Sequence, residues 1–140
     1  LHFTKLKLLK ELSHDAWVNF IETLFTNKEK YDCLFVPTKE DSHFEHKIVN
    51  ELAFPLTRIK GISILEYRTP STLDLWSPNT FTNITEFFDK KQRQLMLFES
   101  QKDRWYFQED LLKSFHSNFQ SYKKGIKYVE QFKTIQLYKL

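Results

Sequence analysis

The sequence predicts an α/β fold in which helices alternate with short buried strands. The chain has 140 residues, of which 41% are hydrophobic and 16% aromatic, and this is enough to fill one core of ordinary domain size. Segments with apolar residues at helical spacing alternate with apolar runs that are too short for a helix and are bounded by turn formers. We therefore expect one α/β layer structure, a single domain over residues 1–140, rather than two domains.

The first helix is predicted from about Asp15 to Thr26, where apolar residues recur at helical spacing and Ser13 can cap the start. The run Asp32–Val36 is apolar, short and followed by a proline, which is typical of a buried strand. The next helix is predicted from about His43 to Phe54, because Pro55 stops it. Helix and buried strand thus alternate through the first half of the chain.

The second half continues the alternation. Apolar runs and helical spacing again distinguish strands from helices, and Thr85 is positioned to cap the longest helical pattern. The segment Leu1–Leu9 could be a strand end, a loop or an irregular lead-in. The further predicted elements are a strand at Gly61–Tyr67, a brief extension at Phe81–Ile84, helices at Glu86–Gln101 and Asp110–Tyr122, a further turn at Lys127–Phe132 and a final strand at Thr134–Tyr138.

Composition excludes several classes of protein. No apolar stretch approaches the roughly eighteen residues of a membrane-spanning helix, and lysines interrupt the first twelve residues where an export signal would need an apolar run. The single cysteine, Cys33, cannot form an internal disulfide, so a reducing, cytoplasmic compartment is expected. A net charge of +3 without an arginine cluster disfavours nucleic-acid binding. Neither of the two glycines belongs to a phosphate-binding loop.

The loop after the first predicted strand holds the residues best suited to chemistry. His43 and His46 are three apart at the start of a helix, so both imidazoles can point into one pocket, with Asp41 and Glu45 beside them. Zinc prefers imidazole and carboxylate ligands. The alternative is that the histidines are solvated, that Asp41 caps the helix and that Glu45 interacts favourably with its first turn. Spacing alone leaves both interpretations open.

Five segments in order resemble motifs of the PIG-L/LmbE family of zinc-dependent de-N-acetylases. The resemblance covers about Asp32 to Leu137. The matching segments are Asp41–His46 with an Asp-x-His-x-Asp-His motif, Tyr67–Thr72 with a strand and Pro-Ser-Thr loop, Pro78–Ile84 with Pro-Asn-x-Phe-x-Asp-Ile, Lys90–Lys91 with Ser100–Gln101, and Gly125–Phe132 with Gly-x-x-Tyr-Ala-Glu-x-Phe.

This resemblance implies a Rossmann-like three-layer sandwich with a mostly parallel sheet, incomplete here at its N-terminal side. It also implies a Zn²⁺ site that hydrolyses an N-acetyl group of an N-acetylglucosamine-type sugar or glycoconjugate. By motif position, His46 is a zinc ligand, and protonated His43 stabilises the tetrahedral oxyanion. Glu45 supports His43, although the family more often has Asp there. Asp41 is expected beside the ligand rather than on the metal.

The family's N-terminal Ala-His-Pro-Asp-Asp motif, which supplies the other ligands and the general base, does not occur in this chain. The run Ser13–Ala16 lacks its Pro and second Asp and is better interpreted as a helix start. We therefore expect the 140-residue chain alone to be inactive. It would need a missing N-terminal segment or a partner chain, either as a fragment of a longer enzyme or as a remnant that lost catalysis and serves as a carbohydrate-binding or scaffold domain.

Substrate contacts are less clearly indicated. Arg68 and Gln101 are candidates within or beside matched motifs, although Gln101 is equally suited to cap a helix. Trp105–Phe107 could form an aromatic platform for a sugar, but consecutive aromatic residues are more often divided between core and surface. An open sheet edge and the family resemblance make a homo-oligomer plausible.

Overall fold

The computed structural model describes residues 13–26, 31–58, 62–118 and 124–138. They form a mixed α/β structure, as the sequence predicts. Among these residues no helix is both long and apolar enough to cross a membrane. The helices are α1 (His14–Thr26), α2 (Phe44–Ala53), α3 (Phe88–Leu95) and α4 (Glu109–His116), with 3-10 turns at Phe54–Arg58, Thr85–Phe87 and Trp105–Phe107, and the strands are β1 (Cys33–Pro37), β2 (Ser63–Tyr67), β3 (Thr80–Asn83) and β4 (Val129–Gln136).

The four strands form one sheet in the order β1-β2-β4-β3. β1 and β2 are parallel, with Cys33 opposite Ser63 and Pro37 opposite Tyr67. β3 and β4 are antiparallel. The expectation of a mostly parallel sheet is therefore wrong. Of the described strands, β1 and β2 form a parallel pair, and the sheet is mostly antiparallel. The reason is that β4 runs against its neighbours, and a short apolar run predicts a strand without its direction.

The chain divides into two compact units, one of residues 1–77 with 133–140 and the other of residues 78–132. In the first unit, α2 packs on β1, α1 packs on α2, and Trp17 is buried. Ser13 caps α1 as expected, because its Oγ accepts the Ala16 amide at 3.2 Å. The core cluster of this unit consists of Val36, Ala53, Leu56, Ile62 and Ile64, with Leu34 packed against it.

The second unit is built around an aromatic stack. Phe88, which is 2% exposed, lies on the ring of Tyr128 with centroids 4.0 Å apart. The buried His116 is near the edge of Phe88, and its Nδ1 lies 3.3 Å from the Val129 carbonyl oxygen. Lys91 and Glu130 form an ion pair at 2.5 Å. These contacts hold α3 and α4 near the β3–β4 pair.

Several predicted elements have different boundaries. The helix expected over Glu86–Gln101 is α3 alone, because the chain leaves it through tight turns after Leu95. The turn expected at Lys127–Phe132 is wrong, since β4 begins at Val129. Thr85 does not cap a long helix with its hydroxyl, which instead accepts the amides of Lys127 and Tyr128. The expectations for Leu1–Leu9 and for residues 119–122 lie outside the described residues.

Candidate functional site

The candidate site lies where β1 and β2 end. Because Pro37 and Tyr67 are partners in the parallel register, both strands finish at the same edge of the sheet. The Thr38 amide continues the pairing by donating to the Tyr67 carbonyl at 3.1 Å. The loops that follow are therefore neighbours, and the carboxyl ends of parallel strands are where α/β sheets commonly build their sites.

The two loops, residues 38–43 and 68–77, are tied together by their backbones. The amide and hydroxyl of Ser42 both donate to the Ser71 carbonyl, at 2.9 and 3.0 Å. The Leu73 amide donates to the Glu40 carbonyl at 2.9 Å, and Asp41 forms an isolated antiparallel bridge with Thr72. This pairing brings the Asp41–His46 motif and the Pro-Ser-Thr loop together.

Asp41 is at the centre of this arrangement and is fully buried. Its Oδ1 accepts the His43 amide at 2.7 Å, and its Oδ2 accepts the hydroxyls of Thr69 at 2.5 Å and Thr72 at 3.4 Å. Burial alone raises the pKa of the carboxyl, but hydrogen bonds from Ser71, Thr69 and the His43 amide, together with the nearby His46 ring, hold that pKa well below its ordinary value. Asp41 is therefore a buried carboxylate that is surrounded by hydrogen-bond donors.

The two histidines lie side by side at the start of α2. His43 is the N-cap residue, and its ring stacks on that of His46 with centroids 4.6 Å apart and an interplanar angle of 27°. Nδ1 of His46 lies 3.1 Å from Oδ2 of Asp41, a close contact that is not aligned as a hydrogen bond. The His46 side chain is 32% exposed. The predicted convergence of the two imidazoles is thus present, and Asp41 lies beside His46.

The N-cap residue of α2 is His43, so Asp41 does not cap the helix as the alternative interpretation expects. Its Oδ1 binds the backbone amide of His43, the residue immediately before the first turn of α2, whereas the His43 side chain makes no cap hydrogen bond. The same carboxylate therefore fixes where α2 begins with one oxygen and faces His46 with the other. Asp41 therefore links the start of α2 to the loop that follows β2.

A second buried carboxylate, Glu66 on β2, lies beside Asn50 of α2 and was not among the predicted site residues. Glu66, 3% exposed, accepts from Asn50 Nδ2 at 2.9 Å and from Thr38 Oγ1 at 3.2 Å. Asn50 also donates to the Pro37 carbonyl at 2.8 Å. Asn50 follows His46 by four residues, so both lie on the same side of α2. A charged residue within the apolar run of β2 was the available sequence signal.

The remaining predicted residues are placed less closely. Glu45 is half-buried in the first turn of α2, and the described residues show no hydrogen bond between it and His43. Arg68 is half-buried after β2, where burial lowers the pKa of its guanidinium and the charge of Asp74 opposes the shift. Gln101 belongs to the second unit and accepts the Tyr106 hydroxyl at 2.9 Å.

Two further expectations can be compared with the structure. Within the second unit, Trp105 is 61% exposed while Tyr106 and Phe107 are half-buried, so the three aromatic residues are divided between surface and interior. In the part of the chain that the structure describes, no group of three or more His, Cys, Asp or Glu side chains is arranged to hold a metal. The chemistry of the residues present nevertheless fits one metal ligand. A metal-binding histidine commonly presents one ring nitrogen to the ion and the other to a carboxylate, and His46 beside Asp41 has that form.

Comparisons with known proteins support the fold. No protein-family model matches the chain, and no curated protein matches it. Among solved structures, the chain is similar to the crystal structure of the conserved protein TT1542 from Thermus thermophilus, with a TM-score of 0.58 and 16% sequence identity. The match covers 91% of this chain and 62% of that one. At this identity the likeness concerns the fold alone, and the chain spans 62% of the length of the protein it resembles.

Proposed function

We propose that this chain carries part of the active site of a zinc-dependent de-N-acetylase that acts on an N-acetylglucosamine-type sugar or glycoconjugate in the cytoplasm. The proposal includes a Rossmann-like arrangement of the whole domain, completed by a segment or partner chain outside the 140 residues. In it, His46 binds the metal, His43 and Glu45 serve the reaction, and Asp41 orients His46.

The observation that carries the proposal is the buried carboxylate of Asp41 3.1 Å from Nδ1 of His46. A carboxylate in that position favours the tautomer with the proton on Nδ1 and leaves Nε2 for a metal. Thr69 and Thr72 fix the carboxylate from behind, so the ring faces a rigid partner. Catalytic contacts that are loose in a free protein commonly tighten when the site is complete.

The role proposed for His43 follows from its position. It is the N-cap residue of α2, and its ring stacks on that of His46. A protonated imidazole there can donate a hydrogen bond to the oxygen that becomes negative as an amide carbonyl is attacked. Glu45, in the first turn of the same helix, is proposed to support His43. Zinc, when bound, would supply Lewis-acid activation of water.

Arg68 and Gln101 remain the proposed substrate contacts. Arg68 follows β2 in the same loop that binds Asp41, and its half-buried guanidinium can donate to sugar hydroxyls or a nearby anionic group. The amide of Gln101 already accepts from Tyr106 and can still donate.

The decisive experiment is zinc content by elemental analysis of the natural-length protein after dialysis against metal-free buffer. We expect about one zinc per chain, lost in His46→Ala. His43→Ala should keep the zinc and lose activity toward N-acetylglucosamine conjugates by about a hundredfold or more. The exposed His14→Ala is the matched control and should change neither quantity. Absence of zinc, or full turnover in His43→Ala, would contradict the proposal.

A second candidate is a non-catalytic carbohydrate-binding or scaffold domain of the same fold. The favouring observation is that the described residues hold no group of three or more possible metal ligands, whereas a catalytic zinc needs three protein ligands. A zinc-free natural-length protein that binds an N-acetylated sugar through Arg68, with affinity lost in Arg68→Gln, would establish this alternative.

A further inference from the structure

A turn-rich tip of the second unit exposes apolar side chains next to one another in the sequence. We define the apolar tip as Met96, Leu97, Phe98 and Trp105. Their exposed fractions include 76% for Leu97, 59% for Phe98 and 61% for Trp105. Single exposed apolar residues are ordinary, but a contiguous exposed group marks a surface that contacts a protein or a membrane.

The tip is a compact structure. The Met96 amide still bonds to Gln92, and the amides of Gln101 and Lys102 both donate to the Phe98 carbonyl, at 2.8 and 3.0 Å. The Arg104 amide donates to Gln101 at 2.9 Å. Trp105 directly follows the last of these turns. The apolar side chains are thus presented by a hydrogen-bonded scaffold.

Basic residues flank the apolar tip in the sequence. Between Lys90 and Trp105 the sequence holds five basic residues against two acidic ones, an excess as large as the net charge of +3 of the whole chain. Lys90, Arg93 and Arg104 are exposed. Arg93 precedes Met96 by three residues, which places it on the same side of the helix end. Of the other two, Lys91 pairs with Glu130 and Lys102 with Glu99, and Asp103 is the second acidic residue.

We propose that the apolar tip docks on an anionic membrane surface, with Leu97, Phe98 and Trp105 at the level of the lipid headgroups and Arg93 and Arg104 against lipid phosphates and carboxylates. Exposed apolar side chains surrounded by lysine and arginine are the pattern of interfacial binding, and tryptophan is enriched at that depth. The charge argues against a second copy as the occupant, because a symmetric dimer would bring the same basic residues against each other. The inference is independent of the zinc chemistry.

The electrostatic and apolar contributions to membrane binding differ in size and in their dependence on salt. Each basic residue near an anionic surface contributes about 1 kcal/mol, so removing one charge weakens binding about fivefold. Replacing the exposed Leu97 side chain removes a similar or larger apolar contribution, which corresponds to about tenfold. The charge contribution also falls with added salt, whereas the apolar one does not.

The test is co-sedimentation of the natural-length protein with vesicles of phosphatidylserine and phosphatidylcholine in equal parts, and with phosphatidylcholine alone. We expect binding to the anionic vesicles only, lowered about tenfold in Leu97→Ser and by at least as much in Arg93→Gln/Arg104→Gln. Leu75→Ser, at a leucine that is 81% exposed in the first unit, is the matched control and should bind as the unmodified protein does.

Three results would overturn the inference: no binding to the anionic vesicles, equal binding to both kinds of vesicle, or wild-type binding in the double arginine variant. Sedimentation of the protein without lipid tests whether a second copy of the chain binds the apolar tip instead of a membrane. A dimer that dissociates in Leu97→Ser would assign the apolar tip to a second copy. Because the two arginines are exposed, their variant should fold normally, and an unchanged thermal unfolding midpoint verifies this.

Discussion

The replacement Asp41→Asn keeps the shape of the side chain and removes its charge, and it tests the centre of the site. In the folded protein the carboxylate accepts the His43 amide at 2.7 Å and the Thr69 hydroxyl at 2.5 Å, with a weaker contact from Thr72. Hydrogen bonds to a charged group contribute about 1.5–3 kcal/mol each, and neutral ones about half as much. Since the amide also turns an N–H toward one of these donors, we expect a loss of about 2–4 kcal/mol in the free energy of unfolding at pH 7.

The charge of Asp41 also makes the free energy of unfolding depend on pH. The pKa of Asp41 is lowered by folding, so its contribution is present above the ordinary aspartate pKa of about 3.9 and is lost as pH falls through the lower folded value. The difference between wild type and Asp41→Asn should therefore be constant from pH 7 to about 5 and shrink below about 4.

Urea unfolding followed by circular dichroism, at a series of pH values, measures both quantities. Asp15→Asn is the matched control, because the Asp15 side chain is 96% exposed and its loss should change stability by no more than about 0.5 kcal/mol. Two results would refute the interpretation of Asp41 as a charged, hydrogen-bonded carboxylate. One is a loss of unfolding free energy in Asp41→Asn as small as that in the control, and the other is a difference between wild type and Asp41→Asn that persists at full size well below pH 4.

Two further predictions concern the first unit. Asn50→Ala removes the donors to the Pro37 carbonyl and to buried Glu66, so it should lower the free energy of unfolding in urea by about 2–4 kcal/mol. Glu51→Ala, at an exposed position of the same helix, is the control, and an equally small loss in both variants would contradict a structural role for the Asn50–Glu66 contact. Burial raises the pKa of the Cys33 thiol, so iodoacetamide at pH 8 should modify it more slowly in the folded protein than in urea. Equal rates in the two states would contradict that shift.

Local sequence patterns predicted the elements near the site well. Ser13 and Pro55 mark a helix start and a helix stop, and the structure confirms both, with α2 giving way to a 3-10 turn at Phe54. These signals are local, since a cap or a missing amide acts within one turn. The direction of β4 depends on its pairing with strands that are distant in the sequence, so the local pattern did not predict it. The turns that end α3 are local, but no glycine or proline marks them in the sequence.

Local sequence patterns also predicted one part of the candidate site but not the rest. The position of His43 and His46 at a strand end followed from the sequence, and the structure places their rings in contact. Thr69 and Glu66 could not be linked to them, because they lie far along the chain and join the site only when β1 and β2 pair. Hydroxyl and carboxylate side chains in such positions have no local periodicity that would distinguish them from ordinary loop or strand residues.

The shared dependence of loops 38–43 and 68–77 on Asp41 has a consequence for protein engineering. Ser71, Thr69 and Thr72 hold the Asp41 carboxylate, which lies beside His46, so residues of loop 68–77 influence the surroundings of a ring in the first turn of α2. A library that randomises loop 68–77 to change what the protein recognises would also disturb the histidine. The two loops should therefore be transplanted between scaffolds as one cassette, with variation confined to Leu73–Leu75 and the threonines kept.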